Sequence, residues 1–294
     1  MKVLITGFNG FVAGSLLVQA PANWELHGVG RSEAPDSSKA VYHRLDLLDA
    51  ARLDRLVRDL RPDAVIHAAA IANIDLCERE PAMADAVNTG ITERLAALCQ
   101  EISARLVFCS TDTVFDGKRG CYTESDTPIA VNYYAKTKIR AEAAVLAADK
   151  RNVVARLALV MGMPMMGSGN SFLADMLGKL KRGETLQFAD NEIRTPIDVV
   201  TLGAALNELA SDAFGGIIHL AGNTRINRYE MARRIALQTG FPEAKIQAIN
   251  SNALAGRAPR PDDASLDNSL ARSILRTPLL SLEDGLALTL NGRP

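Results

Sequence analysis

Along the first half of the chain, short apolar runs alternate with longer amphipathic stretches. Val3-Leu4-Ile5-Thr6 is an unbroken apolar run of the kind that fills a strand buried on both faces. Residues 7–10 read as a turn, and 11–19 as an apolar helix stopped by Pro21. Strands follow at 24–29 and 41–45, then a helix at 50–60 ended by Arg61-Pro62, then a strand at 64–67. A long helix is predicted over 82–101, with its apolar stripe at Met83, Val87, Ile91, Leu95 and Leu98. A strand at 105–109, a helix at 132–148 and a strand at 152–157 continue the alternation. Such alternation requires crossover connections, hence a doubly wound α/β fold with a parallel sheet covered on both faces.

Beyond residue 160 the rhythm changes. Residues 161–170 are rich in glycine and methionine and read as a loop, followed by an amphipathic helix at 171–181. A short extended piece at 192–196 precedes helices at 198–210 and 228–238, which flank a strand at 216–220. Residues 251–268 are poor in apolar positions and carry Pro259 and Pro261. The chain is therefore expected to divide into a dinucleotide-binding domain at 1–160, its sheet completed by parts of 195–222, and a smaller, discontinuous α/β domain at 161–294.

Composition removes several function classes. Lysine and arginine number 33 against 34 acidic residues, a net charge of -1, so nothing draws the chain to nucleic acid or an anionic membrane. No apolar run approaches the roughly 20 residues of a membrane span. Residues 1–20 have the lysine and apolar content of a leader peptide, but Gly7, Asn9, Gly10 and Gly14 interrupt its core, and the segment reads as part of the fold. The 4 cysteines form no C-x-x-C pair and are too few for a disulfide framework, which favours a reducing cytoplasm. The histidines are scattered, and no metal site is expected.

Thr6-Gly7-Phe8-Asn9-Gly10-Phe11-Val12-Ala13-Gly14 follows a strand and opens a helix, the context a dinucleotide turn needs. Gly7 permits the sharp turn, Gly10 lets the backbone approach a pyrophosphate, and Ala13 is small enough for close helix–sheet contact. After the second strand an acidic residue would select the bare ribose diol of NAD. The sequence instead runs Gly30-Arg31-Ser32, a charged fork and a hydroxyl suited to the 2′-phosphate of NADP. A solvated arginine is the plainer alternative. Asp46, with Leu47 beside it, is placed for the adenine or caps the turn that follows.

Tyr134-Ala135-Lys136-Thr137-Lys138 is the only Y-x-x-x-K in the chain, and i,i+4 spacing puts Tyr134 and Lys138 on one helix face. A free tyrosine has a pKa near ~10, and a neighbouring ammonium favours its ionised form. Upstream, Thr111 lies just beyond the fifth strand, where open α/β sheets bind ligands. Its hydroxyl either orients a substrate carbonyl or caps a turn.

A glycine turn after strand one, a hydroxyl after a middle strand and Y-x-x-x-K on the next helix resemble the short-chain dehydrogenase/reductase superfamily. Length and the G-x-x-G spacing point to its extended branch, with the Rossmann-like fold. Several segments are similar to the dTDP-4-dehydrorhamnose reductases. They are Arg61-Pro62-Asp63, Ala68-Ala69-Ala70, Ser110-Thr111-Asp112-Thr113-Val114-Phe115, Tyr134 to Lys138, Gly169-Asn170-Ser171-Phe172 and Arg260-Pro261. The resemblance implies an NADPH-dependent reductase of a nucleotide-linked keto-sugar, with Tyr134 as catalytic acid, Lys138 as its partner on the nicotinamide ribose and Thr111 sharing the substrate oxygen. It implies that Gly7, Phe8, Asn9, Gly10, Phe11 and Val12 meet the pyrophosphate, that Ala68, Ala69 and Ala70 flank the cofactor, and that Asp112, Asn170 and Arg260 contact the substrate. Asp112 is followed by Thr113 where the dehydratases of this branch carry an acidic pair, which argues against dehydration and leaves epimerisation open. The regulatory subunit of methionine adenosyltransferase resembles these reductases too, so a non-catalytic NADP-binding role is the alternative of another class. A homodimer is compatible with the sequence. The 161–166 loop departs from the aromatic-rich segment of the reductases and leaves the sugar and nucleotide undetermined.

Overall fold

In strand β1 (Lys2–Thr6), Val3 and Ile5 face one side of the central sheet and Leu4 the other, and all three are fully buried. That alternation demands two covering layers. Leu16 from the Phe11–Gln19 helix and Leu202 and Leu206 from the Val199–Ser211 helix fill the first layer. Leu53, Leu95 and Val145, from the Ala50–Leu60, Ile91–Ile102 and Tyr133–Ala148 helices, fill the second. The computed structural model describes residues 1–33, 40–166 and 171–291.

Five further strands, β2 (Glu25–Gly30), β3 (Val41–Arg44), β4 (Ala64–His67), β5 (Arg105–Thr111) and β6 (Val153–Leu157), extend the sheet. Seven short strands follow, β7 (Val160–Met161), β8 (Leu186–Ala189), β9 (Ile193–Arg194), β10 (Ile197–Asp198), β11 (Gly216–Leu220), β12 (Ile226–Asn227) and β13 (Ile246–Ile249). The main sheet has seven strands in the order β11-β6-β5-β4-β1-β2-β3, every pair parallel. This is the doubly wound, Rossmann-like architecture the alternation predicts. The direction of winding reverses between β1 and β4, and a crevice opens beyond their carboxyl ends. Among the described residues, no helix is long and apolar enough to cross a membrane.

The later strands make three two-stranded pairs, β7 with β10, β9 with β12 and β8 with β13. A third apolar cluster, including Met161, Leu173, Met176, Leu186, Met231 and Leu286, lies beneath them. The parallel β8–β13 pair joins Leu186 to Ile246, and neither segment alternates clearly enough to be read as a strand from sequence.

The helix predicted over 82–101 is present. It runs from Pro81 to Ile102 and holds one π-helical turn at Asp85–Gly90, a local widening that the periodicity did not predict. Tertiary hydrogen bonds accompany the π-turn: Asn88 Nδ2 donates to Thr137 Oγ1 (3.1 Å) and Thr89 Oγ1 to the Thr137 carbonyl (3.1 Å). Met83 leaves the predicted stripe and is exposed.

Candidate active site

The crevice widens into a cleft of about 870 Å³. Gly7, Gly10, Phe11, Val12 and Ala68 line it on the β1–β4 side, Thr111, Tyr134 and Lys138 further along, and Glu192, Arg194, Arg228, Arg257 and Arg260 opposite. Gly7 has φ +71°, and a Cβ there would lie 2.9 Å from Ala69 N and Cα. Only glycine lets the two turns approach so closely. Thr6 Oγ1 accepts from Ala69 N–H (3.2 Å) and lies 2.6 Å from His67 Nδ1, which ties the ends of β1 and β4 together. Burial lowers His67 to about 3, so its imidazole is neutral at pH 7.

Gly10 caps the Phe11–Gln19 helix without a side-chain hydrogen bond, and the first turn holds no acidic residue. Its amides are left for an anion, so the turn fits a dinucleotide pyrophosphate. Phe8 and Asn9 do not line the cleft. The Phe8 ring turns inward onto Gly28, where a Cβ would come within 1.6 Å of it, and packs 5.1 Å from Tyr42. Asn9 Nδ2 donates to the Glu33 carbonyl (3.1 Å).

Beyond the carboxyl ends of β2 and β3, Arg31, Arg44, Arg52 and Asp46 surround a second notch of about 380 Å³. Arg44 Nε donates to the Arg31 carbonyl and Arg52 Nη2 to the Arg44 carbonyl, both at 3.2 Å. Three arginines therefore line the notch where the sequence suggested one. Asp46 caps its turn by accepting Leu48 N–H at 3.0 Å. Ser32 is exposed, and the Leu47 side chain is buried in the second core layer. Ala70 lines the cleft, whereas Ala69 packs against that layer.

Asn132 accepts from Ala135 N–H (2.9 Å) and starts the Tyr133–Ala148 helix, which puts Tyr134 in its first turn. Thr111 ends β5 and serves as a turn cap as well as a cleft hydroxyl: it accepts from Thr113 N–H (3.2 Å) and donates to Asp112 Oδ1 (3.1 Å). Lys138 is buried, donates to the Cys109 carbonyl (2.7 Å) and sits 4.0 Å above the Phe108 ring. Burial lowers its ammonium to about 8. Burial also pushes the Tyr134 phenol above its ordinary range, assisted by the Asp112 carboxylate, with the Thr111 hydroxyl pulling the other way. The expectation that the ammonium draws the phenol down is not met here, because desolvation dominates. Tyr134 is therefore a neutral phenol at pH 7.

Behind this group, Arg156 and Glu142 form a buried ion pair at 2.8 Å, and Ser110 donates to the same carboxylate at 2.5 Å. Arg260 does line the cleft, but its guanidinium is engaged by both oxygens of Asp75 at 2.7 Å. Asn170 lies outside the described residues. Sequence reasoning missed Glu192, Arg194, Arg228 and Arg257. One local signal existed: Glu192 and Arg194, two apart in an extended piece, share a face.

The chain matches the family model described as RmlD substrate binding domain over residues 1–292. Methionine adenosyltransferase 2 subunit beta of Xenopus laevis is 30% identical over 274 residues, 91% of this chain and 80% of that protein. The dTDP-4-dehydrorhamnose reductase of Mycobacterium tuberculosis (strain H37Rv) is 29% identical over 295 residues, 98% of this chain and 92% of that one. The crystal structure of a hypothetical dTDP-4-dehydrorhamnose reductase from Sulfolobus tokodaii superposes with a TM-score of 0.87 at 31% identity, covering 97% of this chain and 99% of the other. Family model, relatives and fold agree over nearly the whole length, and the chain belongs to the RmlD substrate-binding-domain family.

Proposed function

We propose that this protein is an NADPH-dependent reductase of a nucleotide-linked 4-keto-sugar. One observation carries the reading: Thr111, Tyr134 and Lys138 share a cleft with an uncapped helix N-terminus suited to a pyrophosphate. The cofactor-side contacts fall to Gly7, Gly10, Phe11, Val12, Ala68 and Ala70, and the 2′-phosphate to Arg31. Bound NADPH supplies the hydride that reduces the carbonyl carbon. Thr111 Oγ1 holds the carbonyl oxygen, and Tyr134 Oη gives that oxygen its proton as it becomes an alcohol. The phenolate left behind lies in the same cleft as the Lys138 ammonium, from which its proton can be restored. Asp112 and the side chains beyond residue 160 receive the sugar nucleotide.

A second reading has its own support, since methionine adenosyltransferase beta subunits are as similar in sequence as the reductases are. In that reading the chain binds NADP and serves a partner enzyme. The two separate in one assay, in which absorbance loss is followed with NADPH and a panel of dTDP-, UDP- and GDP-linked keto-sugars. Oxidation of NADPH with one of them supports the reductase. Tight NADPH binding without oxidation, together with altered kinetics of an added methionine adenosyltransferase, supports the subunit.

A further inference from the structure

Three buried side-chain polar atoms lack a hydrogen-bond partner among the described residues: Asp112 Oδ2, Glu192 Oε1 and Asn207 Oδ1. Asp112 and Glu192 both line the cleft, and both are about 4% exposed. A buried acceptor without a donor is costly, and a native fold retains one where water or a ligand completes it.

The arginines beside them supply charge but no hydrogen bond. Arg194 spends its terminal nitrogens on backbone, donating to the carbonyls of Ile193 (2.7 Å), Asp262 (3.3 Å) and Pro261 (3.1 Å). Its Nε stands 3.5 Å from Asp112 Oδ2, and Arg257 Nη2 stands 3.5 Å from Glu192 Oε1, both as ion pairs without hydrogen-bond geometry. The two carboxylates are thus balanced in charge with lone pairs unused. That combination suits a neutral donor. It offers no excess negative charge to an ammonium, and its unused lone pairs offer no donor to a phosphate.

We propose that Glu192 and Asp112 form a paired acceptor site for hydroxyl groups of the substrate's sugar ring, with Glu192 as a specificity residue beyond the reacting group. The inference rests on the nucleotide-sugar reading and deepens it: the sugar carries hydroxyls that reach both carboxylates. The nucleotide's phosphates lie elsewhere in the cleft. Arg228 is one candidate, its guanidinium 5.5 Å above the Phe172 ring.

The test is calorimetric titration of the NADP-loaded protein with dTDP-rhamnose, UDP-glucose and GDP-mannose, each against its free nucleoside diphosphate. In the parent protein one sugar nucleotide binds more tightly than its diphosphate. In Glu192→Ala that sugar increment falls roughly ten- to hundred-fold, while the diphosphate binds as before or more tightly because the arginines lose a counter-charge. Glu192→Gln keeps the shape and one acceptor oxygen, folds as the parent by thermal melting, and loses part of the increment. A parent that binds none of the sugar nucleotides overturns the nucleotide-sugar reading and this inference together. A parent that binds one, with the increment intact in both variants, overturns this inference alone. Equal losses for sugar nucleotide and diphosphate also overturn it, because they mark general damage to the cleft.

Discussion

Behind the Tyr133–Ala148 helix, Arg156 meets Glu142 through hydrogen bonds of 2.8, 3.1 and 3.2 Å, and Ser110 donates to the same carboxylate. Across the cleft, Arg194 stands 3.5 Å from Asp112, whose outer oxygen accepts no hydrogen bond from the described residues. Burial is nearly the same in the two places: Arg156 and Glu142 are 1% and 3% exposed, Arg194 and Asp112 5% and 4%. The difference lies in how completely the donors and acceptors are used. A closed network links β5, β6 and the helix that carries Tyr134 and Lys138, and it has nothing left to offer a ligand. An open one is poorly satisfied in the free protein and is completed from outside. Hydrogen-bond closure therefore separates a structural ion pair from a ligand-facing one where burial alone does not.

The largest effect is expected at the residue between the two networks. Tyr134→Phe should leave the fold and NADPH affinity nearly intact and lower kcat by ~10²–10⁴. An undiminished kcat with a confirmed keto-sugar would remove Tyr134 from the acid's role. The closed pair comes next. Arg156→Met strands a buried carboxylate and should cost about 3–5 kcal/mol of stability, read by urea unfolding. Asp112→Asn should instead change the melting temperature little while lowering kcat/KM. If Asp112→Asn destabilised as much as Arg156→Met, the contrast between closed and open pairs would collapse.

A smaller effect is expected at the adenosine end. Arg31→Ala should weaken NADPH roughly ten- to hundred-fold and leave NADH nearly unchanged, since the pyrophosphate turn is common to both. Higher salt should narrow the parent's NADPH preference, because the notch is exposed. Fluorescence titration of both cofactors against both proteins reads this directly, and equal losses would make Arg31 a solvated bystander.

The smallest effect is a pH dependence with opposite signs for activity and stability. Burial lowers Lys138 to about 8, while the Glu142 carboxylate opposes that shift and His67 stays neutral nearby. Turnover should fall as pH rises through about 8, because the ammonium is lost. Stability moves the other way. The folded state holds fewer protons than the unfolded one between about 8 and the ordinary lysine value of 10.5, so this group's contribution to stability rises with pH there. Comparing the parent with Lys138→Met from pH 7 to about 10 isolates the contribution, and parallel stability curves would refute it.

Much of the fold was legible because its signals are local. The apolar run at Val3 to Thr6, the Gly7–Gly10 turn and the break at Arg61-Pro62 each lie within a few residues, and the structure places a strand, a turn and a helix end there. The helix over 82–101 was legible too, but the π-helical turn inside it was not, for the opposite reason. Its π-helical turn answers to Thr137, 49 residues from Asn88, and no periodicity within the segment carries that demand. Phe8 shows the same limit, since its choice between cleft and core depends on the missing Cβ of Gly28 on the next strand. Arg260 was placed beside the cleft by its motif, but its partner Asp75 stands 185 residues away.

By itself the sequence determined the alternating α/β pattern, the glycine turn and the Y-x-x-x-K pair, because backbone sterics and side-chain period act over one or two turns of chain. Tertiary structure decided which charges are spent and which are free. Whether Glu192 is silenced by Arg257 or left with an open lone pair depends on angles and distances between segments about 65 residues apart. Electrostatic and hydrogen-bond energies change steeply over a few tenths of an ångström in a desolvated cleft, and only the packed chain fixes those separations.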